Sequence, residues 1–283
     1  MTTEYAIEAA PQLAALEWKL LGGLIETRFG LAFDDNRRDI LRSRLVPRLK
    51  ELHLDSFMEY YHFLRCHPSR EVEFVEIAKL ATNGESYFFR EAHHYDILTR
   101  HAVPFASDEN PNRPVRILSA GCSSGQEAYT AAIALNNSAR AASPGFQIDG
   151  CDINPLRIEW ARMACYAERA LWACDALTRR ACFELDDNRW RLRSEYGENV
   201  NFFEANLATE TGEHWRPYDV IFCRNVLIYF SPRAFESAIR LFHRSLAPGG
   251  YLFLGHSESL INRSLGFEAV CLDGKIVYRK ETP

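Results

Sequence analysis

An α/β fold, a mostly parallel sheet with helices on both faces behind an all-helical amino-terminal segment, is predicted by three observations. Up to about residue 80, apolar residues recur at helical spacing. After about residue 103, short β-rich runs alternate with helical stretches, the pattern of a parallel sheet. The chain then closes on two β-rich runs joined by Asp273-Gly274, a hairpin that adds antiparallel strands at one end of the sheet.

In chain order, Leu13, Leu16, Leu20 and Leu24 mark the apolar stripe of a first helix, with Leu21 and Ile25 beside it. A second helix over about 35–52 carries Leu41, Leu45, Leu49 and Leu52, and Pro47 inside it is expected to kink it. A third opens at Ser56, with Glu59 completing a capping box, and carries Phe57, Tyr60, Tyr61 and Leu64. A fourth runs through Val72, Val75 and Leu80. Pro104, Pro111 and Pro114 then punctuate a polar connection. Strands are expected at 115–119, 146–151, 200–204, 219–223 and 250–255, with helices at 125–137, after Asn154-Pro155 and after Ser231-Pro232. Phe267–Leu272 and Lys275–Tyr278 form the closing hairpin.

The chain has 283 residues, 47% hydrophobic and 25% charged, enough for one large domain or two smaller ones. A net charge of −5 argues against a nucleic-acid-binding coat. Glu4 and Glu8 near the start rule against a signal peptide, and no apolar run is long enough to span a bilayer. The eight cysteines contain no C-x-x-C and are read as small core residues of a cytoplasmic protein. His93 and His94 are adjacent, so on a helix they point about 100° apart and do not share a metal; no metal is expected.

The run Phe222-Cys-Arg-Asn-Val-Leu-Ile-Tyr-Phe230 places Arg224 and Asn225 where a buried strand ends. In such sheets a ligand sits outside the carboxyl ends of the strands. The other ends deliver Ala120-Gly-Cys-Ser-Ser-Gly-Gln-Glu127, Asp152, Asn206-Leu207 and His256-Ser-Glu258. Gly121 and Gly125 let backbone approach a ligand. Asp152, 31 residues after Gly121, is placed to take ribose hydroxyls or to cap the next helix. Taken singly, Asn206 reads equally as a turn residue and His256 as a structural histidine. The dinucleotide fingerprint G-x-G-x-x-G is absent, and Glu127 would repel a phosphate. A cationic nucleoside without phosphate fits better: S-adenosylmethionine.

With Ser86-Tyr-Phe-Phe-Arg-Glu91 and Gly255-His-Ser-Glu-Ser259 added, these motifs resemble those of the chemotaxis receptor glutamate methyltransferases of the CheR type, over about 17–279. The resemblance implies a class I S-adenosylmethionine-dependent methyltransferase fold, Rossmann-like with a terminal antiparallel hairpin. It also implies a preceding all-α domain and a small inserted β-hairpin subdomain. The expected domains are a helical receptor-docking domain at 1–81, a linker helix contributing to the cofactor site at 82–103, and a methyltransferase domain at 104–283 with the β-subdomain at about 181–199. The implied reaction esterifies glutamates of a chemoreceptor's cytoplasmic helical bundle, with S-adenosylhomocysteine as product. The implied cofactor contacts are Ser86, Arg90, Glu127, Asp152, Asn206, Leu207, Arg224 and Asn225, to which the glycine loop adds Gly121. Many members have Asn where Gly84 falls, Thr at Ser86 and Glu-Glu at Gln126-Glu127, so a side-chain contact at 84 is lost here.

A glutamate is already ionised at neutral pH, so the transfer needs no general base. Arg90 is expected to orient a carboxylate and Tyr229 to hold the acceptor. Residues 37–50 hold Arg37, Arg38, Arg42, Arg44, Arg48 and Lys50 against the single acid Asp39; the resemblance makes Arg37, Arg44, Arg48 and Lys50 a receptor-docking set. Residues 181–204 read as a hairpin closed by Asp187-Asn188 without the longer glycine-bearing loop of relatives that grip a receptor tail. The enzyme is therefore expected to work without that tether. A monomer is expected, with no nucleic acid and no membrane insertion. The alternatives are a nucleic-acid methyltransferase, against which the Cys-Arg-Asn-Val tip speaks, and a non-catalytic S-adenosylmethionine-binding module.

Overall fold

Helical and strand-forming segments divide the chain into two compact units, Met1–Asn83 and Gly84–Pro283. The structure, a computed structural model, describes residues 11–32, 35–81, 86–138, 145–212, 215, 217–263 and 265–281, and of residues 35–37 the backbone only. Gly84 and the side chain of Arg37 lie outside the described residues.

The first unit holds helices α1 (Ala15–Phe29), α2 (Asp35–Glu51), α3 (Phe57–Cys66) and α4 (Arg70–Ala81). In α1 the buried stripe is Leu21, Ile25 and Phe29. Leu16, expected inside, is 62% exposed. Phe29 decides the rotation: its ring packs edge-on against Phe74, 6.0 Å away. Helix α2 buries Leu41, Leu45 and Leu49 as expected and continues through Pro47. At α3 the Ser56 hydroxyl accepts from the Glu59 amide (3.2 Å), while the Glu59 carboxylate reaches the Asp55 amide (2.8 Å), one residue earlier than in a capping box.

Helix α4 turns a different face inward from the one its valines suggest. Val72 and Val75 are exposed, and Glu73, Phe74, Ile77 and Ala78 are buried. The cause is a polar triad. The Tyr60 hydroxyl donates to Glu73 Oε1 (2.7 Å), and Arg48 Nη2 meets Glu73 Oε2 (2.6 Å). Arg48 also pairs with Glu51. A carboxylate this deep needs such partners, and their geometry fixes the helix rotation.

The second unit is built on a seven-stranded sheet. Its strands are β1 (Val115–Ala120), β2 (Phe146–Asp152), β6 (Val200–Glu204), β7 (Tyr218–Cys223), β8 (Leu246–Leu254), β9 (Phe267–Leu272) and β10 (Lys275–Lys280). Their order is β6-β2-β1-β7-β8-β10-β9, parallel except where β10 runs against β8 and β9. Strand β8 begins earlier than expected, at Leu246; its register against β7 jumps from Tyr218↔Leu246 to Val220↔Tyr251, absorbing the Pro-Gly-Gly stretch in a bulge.

Helices α5 (His93–Ile97), α6 (Val103–Glu109), α7 (Gln126–Asn136), α8 (Pro155–Met163) and α10 (Pro232–Ser245) flank the sheet. Central strands feed two cores alternately. Ile117, Val220, Phe222 and Phe253 pack on the side of α7 and α8, and Leu118, Ile221, Cys223 and Leu252 on the side of α10. Both faces being covered, these strands are apolar without interruption. Five cysteines, at 122, 151, 174, 182 and 223, are buried small residues; Cys66 and Cys271 are exposed and do not fill a core.

The expected linker at 82–103 belongs, in its described part, to the second unit: Phe88, Tyr95, Ile97 and Leu98 are buried in its core. The expected polar connection starts instead with α6, which Pro104 allows because it sits in the first turn, where its missing amide is not needed. The inserted subdomain is larger than a hairpin. Strand β3 (Cys165–Tyr166) joins β4 (Phe183–Asp186) and β5 (Arg189–Leu192) in the order β3-β5-β4, with α9 (Ala176–Cys182) leading into β4. Asp187 and Asn188, both at positive φ, make the tight turn, and β4 is an edge strand.

The Arg48 triad generates a test. Arg48→Ala strands the buried Glu73 carboxylate and is expected to cost about 3 kcal/mol in urea denaturation. Arg44→Ala, on an exposed position of the same helix, is expected to change stability by about 0.5 kcal/mol or less. Equal losses for the two variants would show the triad to be unimportant.

Candidate functional site

Strand β7 is buried along its whole length, and Arg224 follows its last residue with a side chain only 1% exposed. A guanidinium there must be fully paired. Arg224 Nη1 donates to the Tyr95 hydroxyl (3.1 Å) and lies 3.6 Å from Glu127 Oε2. Its Nε faces Glu91 Oε2 at 3.3 Å, and Nη2 donates to the Arg90 carbonyl. The strand-tip arginine therefore ties three elements together: the turn before α5, the start of α7, and β7.

Glu91 is the second hub. Its Oε1 receives the His256 ring Nδ1 (2.9 Å). Burial raises the Glu91 pKa, but the His256 hydrogen bond and Arg224 outweigh it and hold the carboxyl below the usual range. Glu127 behaves oppositely. Its Oε1 accepts from the Ser119 hydroxyl (2.7 Å) and Arg224 lies close, yet burial wins and pushes its carboxyl up. With both ionised, two carboxylates surround one guanidinium, so the cluster carries an excess negative charge that a cation would neutralise.

The other strand tips are adjacent. The Asp152 carboxylate accepts from the backbone amides of Ser123 (2.9 Å) and Asn154 (2.9 Å); burial pushes its pKa up against those bonds. The cap of α8 is Asn154 itself, so Asp152 is not spent on capping that helix. The Ala205 amide donates to the Asp152 carbonyl (3.1 Å), bringing the β6 tip alongside. There Asn206 Oδ1 takes the Ala208 amide (3.1 Å), a turn-forming contact, and Leu207 is buried in the α10-side core. Gly121 and Gly125 both have positive φ; a Cβ on Gly121 would come within 2.4 Å of Val226, so no other residue fits between the β1 and β7 tips.

The segment after Arg224 is pinned by Glu258. This buried carboxylate accepts four backbone amides, from Asn225 (2.9 Å), Val226 (2.9 Å), Leu227 (2.7 Å) and Gly255 (2.7 Å). It holds Asn225 at φ 59°, an unfavourable conformation for a side-chain-bearing residue. The Asn225 Oδ1 atom is buried and has no hydrogen-bond partner. An orphaned acceptor at a strand tip is a candidate ligand position, of a kind that suits an amine or ammonium donor. Tyr229, half-buried, closes the short 3₁₀ turn Leu227–Tyr229 that follows. Phe89, Glu91 and Ser123 also have positive φ, so strained backbone is concentrated here.

The structure thus gathers Gly121, Glu127, Asp152, Arg224 and Asn225 at adjoining tips. The Arg224 guanidinium is held by Glu91, Tyr95 and the Arg90 carbonyl and so organises the site. The Arg90 guanidinium lies over the Tyr87 ring, 5.6 Å from its centroid. Ser86 is half-buried just before that turn. Of the docking set, Arg44 and Lys50 are exposed, and Arg48 is committed to Glu73. Sequence reading missed Glu91, Tyr95 and Glu258 as site residues. Glu91 and Glu258 lay inside the quoted motifs, and an acid close to a strand-tip arginine was the available signal. Among the described residues no group of His, Cys, Asp and Glu is placed to hold a metal ion, and no helix is long and apolar enough to cross a membrane.

The family profile described as CheR methyltransferase, SAM binding domain, matches residues 84–275, and that described as CheR methyltransferase, all-alpha domain, matches residues 16–77. The chain is also similar to proteins named chemotaxis protein methyltransferase, three of them as follows. The Salmonella typhimurium protein is 33% identical over 259 residues, 90% of this chain and 86% of the relative. The Escherichia coli protein is 31% identical over 270 residues, 94% and 91%. That of Vibrio parahaemolyticus is 31% identical over 268 residues, 93% and 96%.

His94 supplies a pH test. It is buried against Phe253, and burial, with Arg224 and His93 beside it and Glu91 only partly opposing, lowers its pKa to about 3. Below its ordinary value near 6.5, the unfolded chain binds a proton that the folded chain refuses. Stability is thus lost as pH falls, by about 1.4 kcal/mol per unit from this group. His94→Phe keeps the ring contact and is expected to flatten the decline between roughly pH 6.5 and 5 by about 2 kcal/mol. Identical slopes for variant and parent would mean that His94 takes up its proton when folded.

Proposed function

The chain belongs to the CheR methyltransferase family, and from that premise we propose that it methylates glutamate side chains in the cytoplasmic helical bundle of a chemoreceptor. The products are glutamate methyl esters and S-adenosylhomocysteine. The observation that carries the reading is the strand-tip cluster: two carboxylates, Glu91 and Glu127, around the single Arg224 guanidinium, and the orphaned Asn225 Oδ1 beside them. That donor set suits S-adenosylmethionine, a cation that carries no phosphate. S-adenosylmethionine supplies an electrophilic methyl group, which a carboxylate attacks without prior deprotonation.

The residues divide the work as follows. Asp152 takes the ribose hydroxyls, with its carboxylate already aimed by two amides. Gly121 and Gly125 give backbone access, and Glu127 and Asn225 receive the cationic amino-acid portion, with Ser86, Asn206 and Leu207 completing the lining. Arg224 holds Glu91, Glu127 and Tyr95 in register. Arg90 orients a carboxylate, and Tyr229, on the turn pinned by Glu258, holds the acceptor. The site works by position and by excluding water from two groups of opposite charge. Receptor docking falls to the basic face of α2 through Arg44 and Lys50, with Arg37 as a further contact. The tight Asp187-Asn188 turn supports a protein that works without a grip on a receptor tail. The protein acts as a monomer in the cytoplasm.

Incubation with labelled S-adenosylmethionine and receptor cytoplasmic fragments is expected to put base-labile label on the receptor; label confined to RNA or absent refutes the reading. Asp152→Ala is expected to weaken cofactor binding by roughly 1.5–3 kcal/mol in calorimetry. Arg44→Glu is expected to slow receptor methylation at low salt with cofactor affinity unchanged. Arg48 is unsuitable for that comparison because it supports the fold.

A further inference from the structure

The proposed cofactor contacts come from the ends of β1, β2, β6 and β7 and from the turn at 86–91, and they leave the end of β8 unassigned. Strands β7 and β8 run parallel, and Cys223 pairs with Leu254, so Arg224 and Gly255 leave the sheet side by side. A Cβ on Gly255 would stand 3.0 Å from the Asn225 side-chain nitrogen, so the two tips touch. The next residue is His256, which the function described so far does not use.

The His256 ring is exposed and yet held. Its side chain is 73% exposed, against 16% for its partner Glu91. Ring Nδ1 lies 2.9 Å from Glu91 Oε1, and the His256 backbone amide reaches the same oxygen at 3.4 Å. Glu91 is itself anchored, since its Oε2 faces Arg224 Nε at 3.3 Å. Fixing an exposed ring costs rotamer freedom and gains no apolar burial; what it secures is the direction of the outward edge. Glu91 is ionised and can only accept, so Nδ1 carries a proton and Nε2 is the distal nitrogen of a ring mostly in solvent.

A neutral ring offers a lone pair at Nε2, whereas an imidazolium offers a second N–H. A carboxylate placed at Nε2 favours the imidazolium, which then stands between two negative charges. The charged and titratable groups on the neighbouring elements are Arg90 and Glu91 in the turn before α5, His94 in α5, Arg224 at the β7 tip and Glu258 in the ring's own loop. His94 is kept neutral by burial, Arg224 lies behind Glu91, and the Glu258 carboxylate is spent on four backbone amides.

We propose that His256 receives one oxygen of the acceptor carboxylate at Nε2, as an imidazolium held between that carboxylate and Glu91, so that receptor glutamates enter over the β8 tip. The proposal rests on the methylation reading above and adds to it the side from which the acceptor arrives. The second carboxylate oxygen is left to form the C–O bond as the C–S bond breaks with its electron pair going to sulfur. The resulting ester is neutral and no longer pairs with the imidazolium.

The test is steady-state methylation of a receptor cytoplasmic fragment by the full chain and two variants, with cofactor affinity measured in parallel. The receptor KM of the parent is expected to rise about fivefold or more between about pH 6 and pH 8, as the imidazolium is lost. His256→Asn puts an amide nitrogen where Nδ1 stands, so Glu91 keeps its donor while the outer nitrogen is gone. Its receptor KM is expected about tenfold above that of the parent at about pH 6, with no further rise at higher pH and cofactor affinity within about twofold. His256→Gln, with a neutral amide at the outer position, is also expected to lose the pH dependence. A receptor KM of the parent that does not change with pH overturns the proposal. So does a variant that keeps the parent's pH dependence, or a His256→Asn that matches the parent, since the ring would then serve only to hold Glu91. Each of these outcomes leaves the methylation reading standing. Failure of the parent to form receptor esters overturns that reading and this proposal with it.

Discussion

The burial of Arg224 constrains everything around it. A guanidinium at the end of a strand covered on both faces has no access to water, so the fold must supply its counter-charges from elsewhere in the chain. It takes them from Glu91 and Glu127, and takes neutral acceptors from Tyr95 and the Arg90 carbonyl. Those residues are about 100 or more positions away along the chain, so the arginine closes long loops as well as pairing charges. The turn at Ser86–Glu91 can take its strained course, with Phe89 and Glu91 at positive φ, because this pairing specifies where it must go.

Glu258 does for the backbone what Arg224 does for the side chains. By accepting four amides it satisfies a stretch of chain that forms no ladder, and it fixes the distance between the ends of β7 and β8. The proposed methylation of a carboxylate needs no proton movement and depends on how well two reactants are held, for which a site with paired charges and fixed backbone is already organised.

Much of this was legible in the sequence because the physical signals were local. Continuous apolar runs gave the strands, Asn154-Pro155 and Ser231-Pro232 gave helix starts, and Asp273-Gly274 gave the closing turn. What escaped involved partners remote in sequence. The inward face of α4 follows from Glu73 meeting Arg48 and Tyr60, not from its valines. The stripe of α1 follows from Phe29 meeting Phe74. Strand β3 is two residues long and exists only because β5 pairs with it. The roles of Glu91 and Glu258 needed the knowledge of what stood opposite them. For Arg224 the position was legible and its partners Glu91, Glu127 and Tyr95 were not, since strand-tip placement does not say which residues remote in sequence pair with it.

The inserted subdomain has two ends of unequal freedom. Near the sheet its residues are locked: Phe88 is gripped between Tyr166 and Phe183, and the Ala170 carbonyl holds the neighbouring backbone. At the far end, Asp187 and Asn188 are exposed and form a turn that only joins β4 to β5. Length can therefore change at that turn without disturbing the chemistry, whereas a single residue gained or lost near Ala170 would displace Arg90. The fold thus offers a place where a lineage can acquire or discard an extra loop, and with it a mode of partner capture, while the reaction centre is inherited intact.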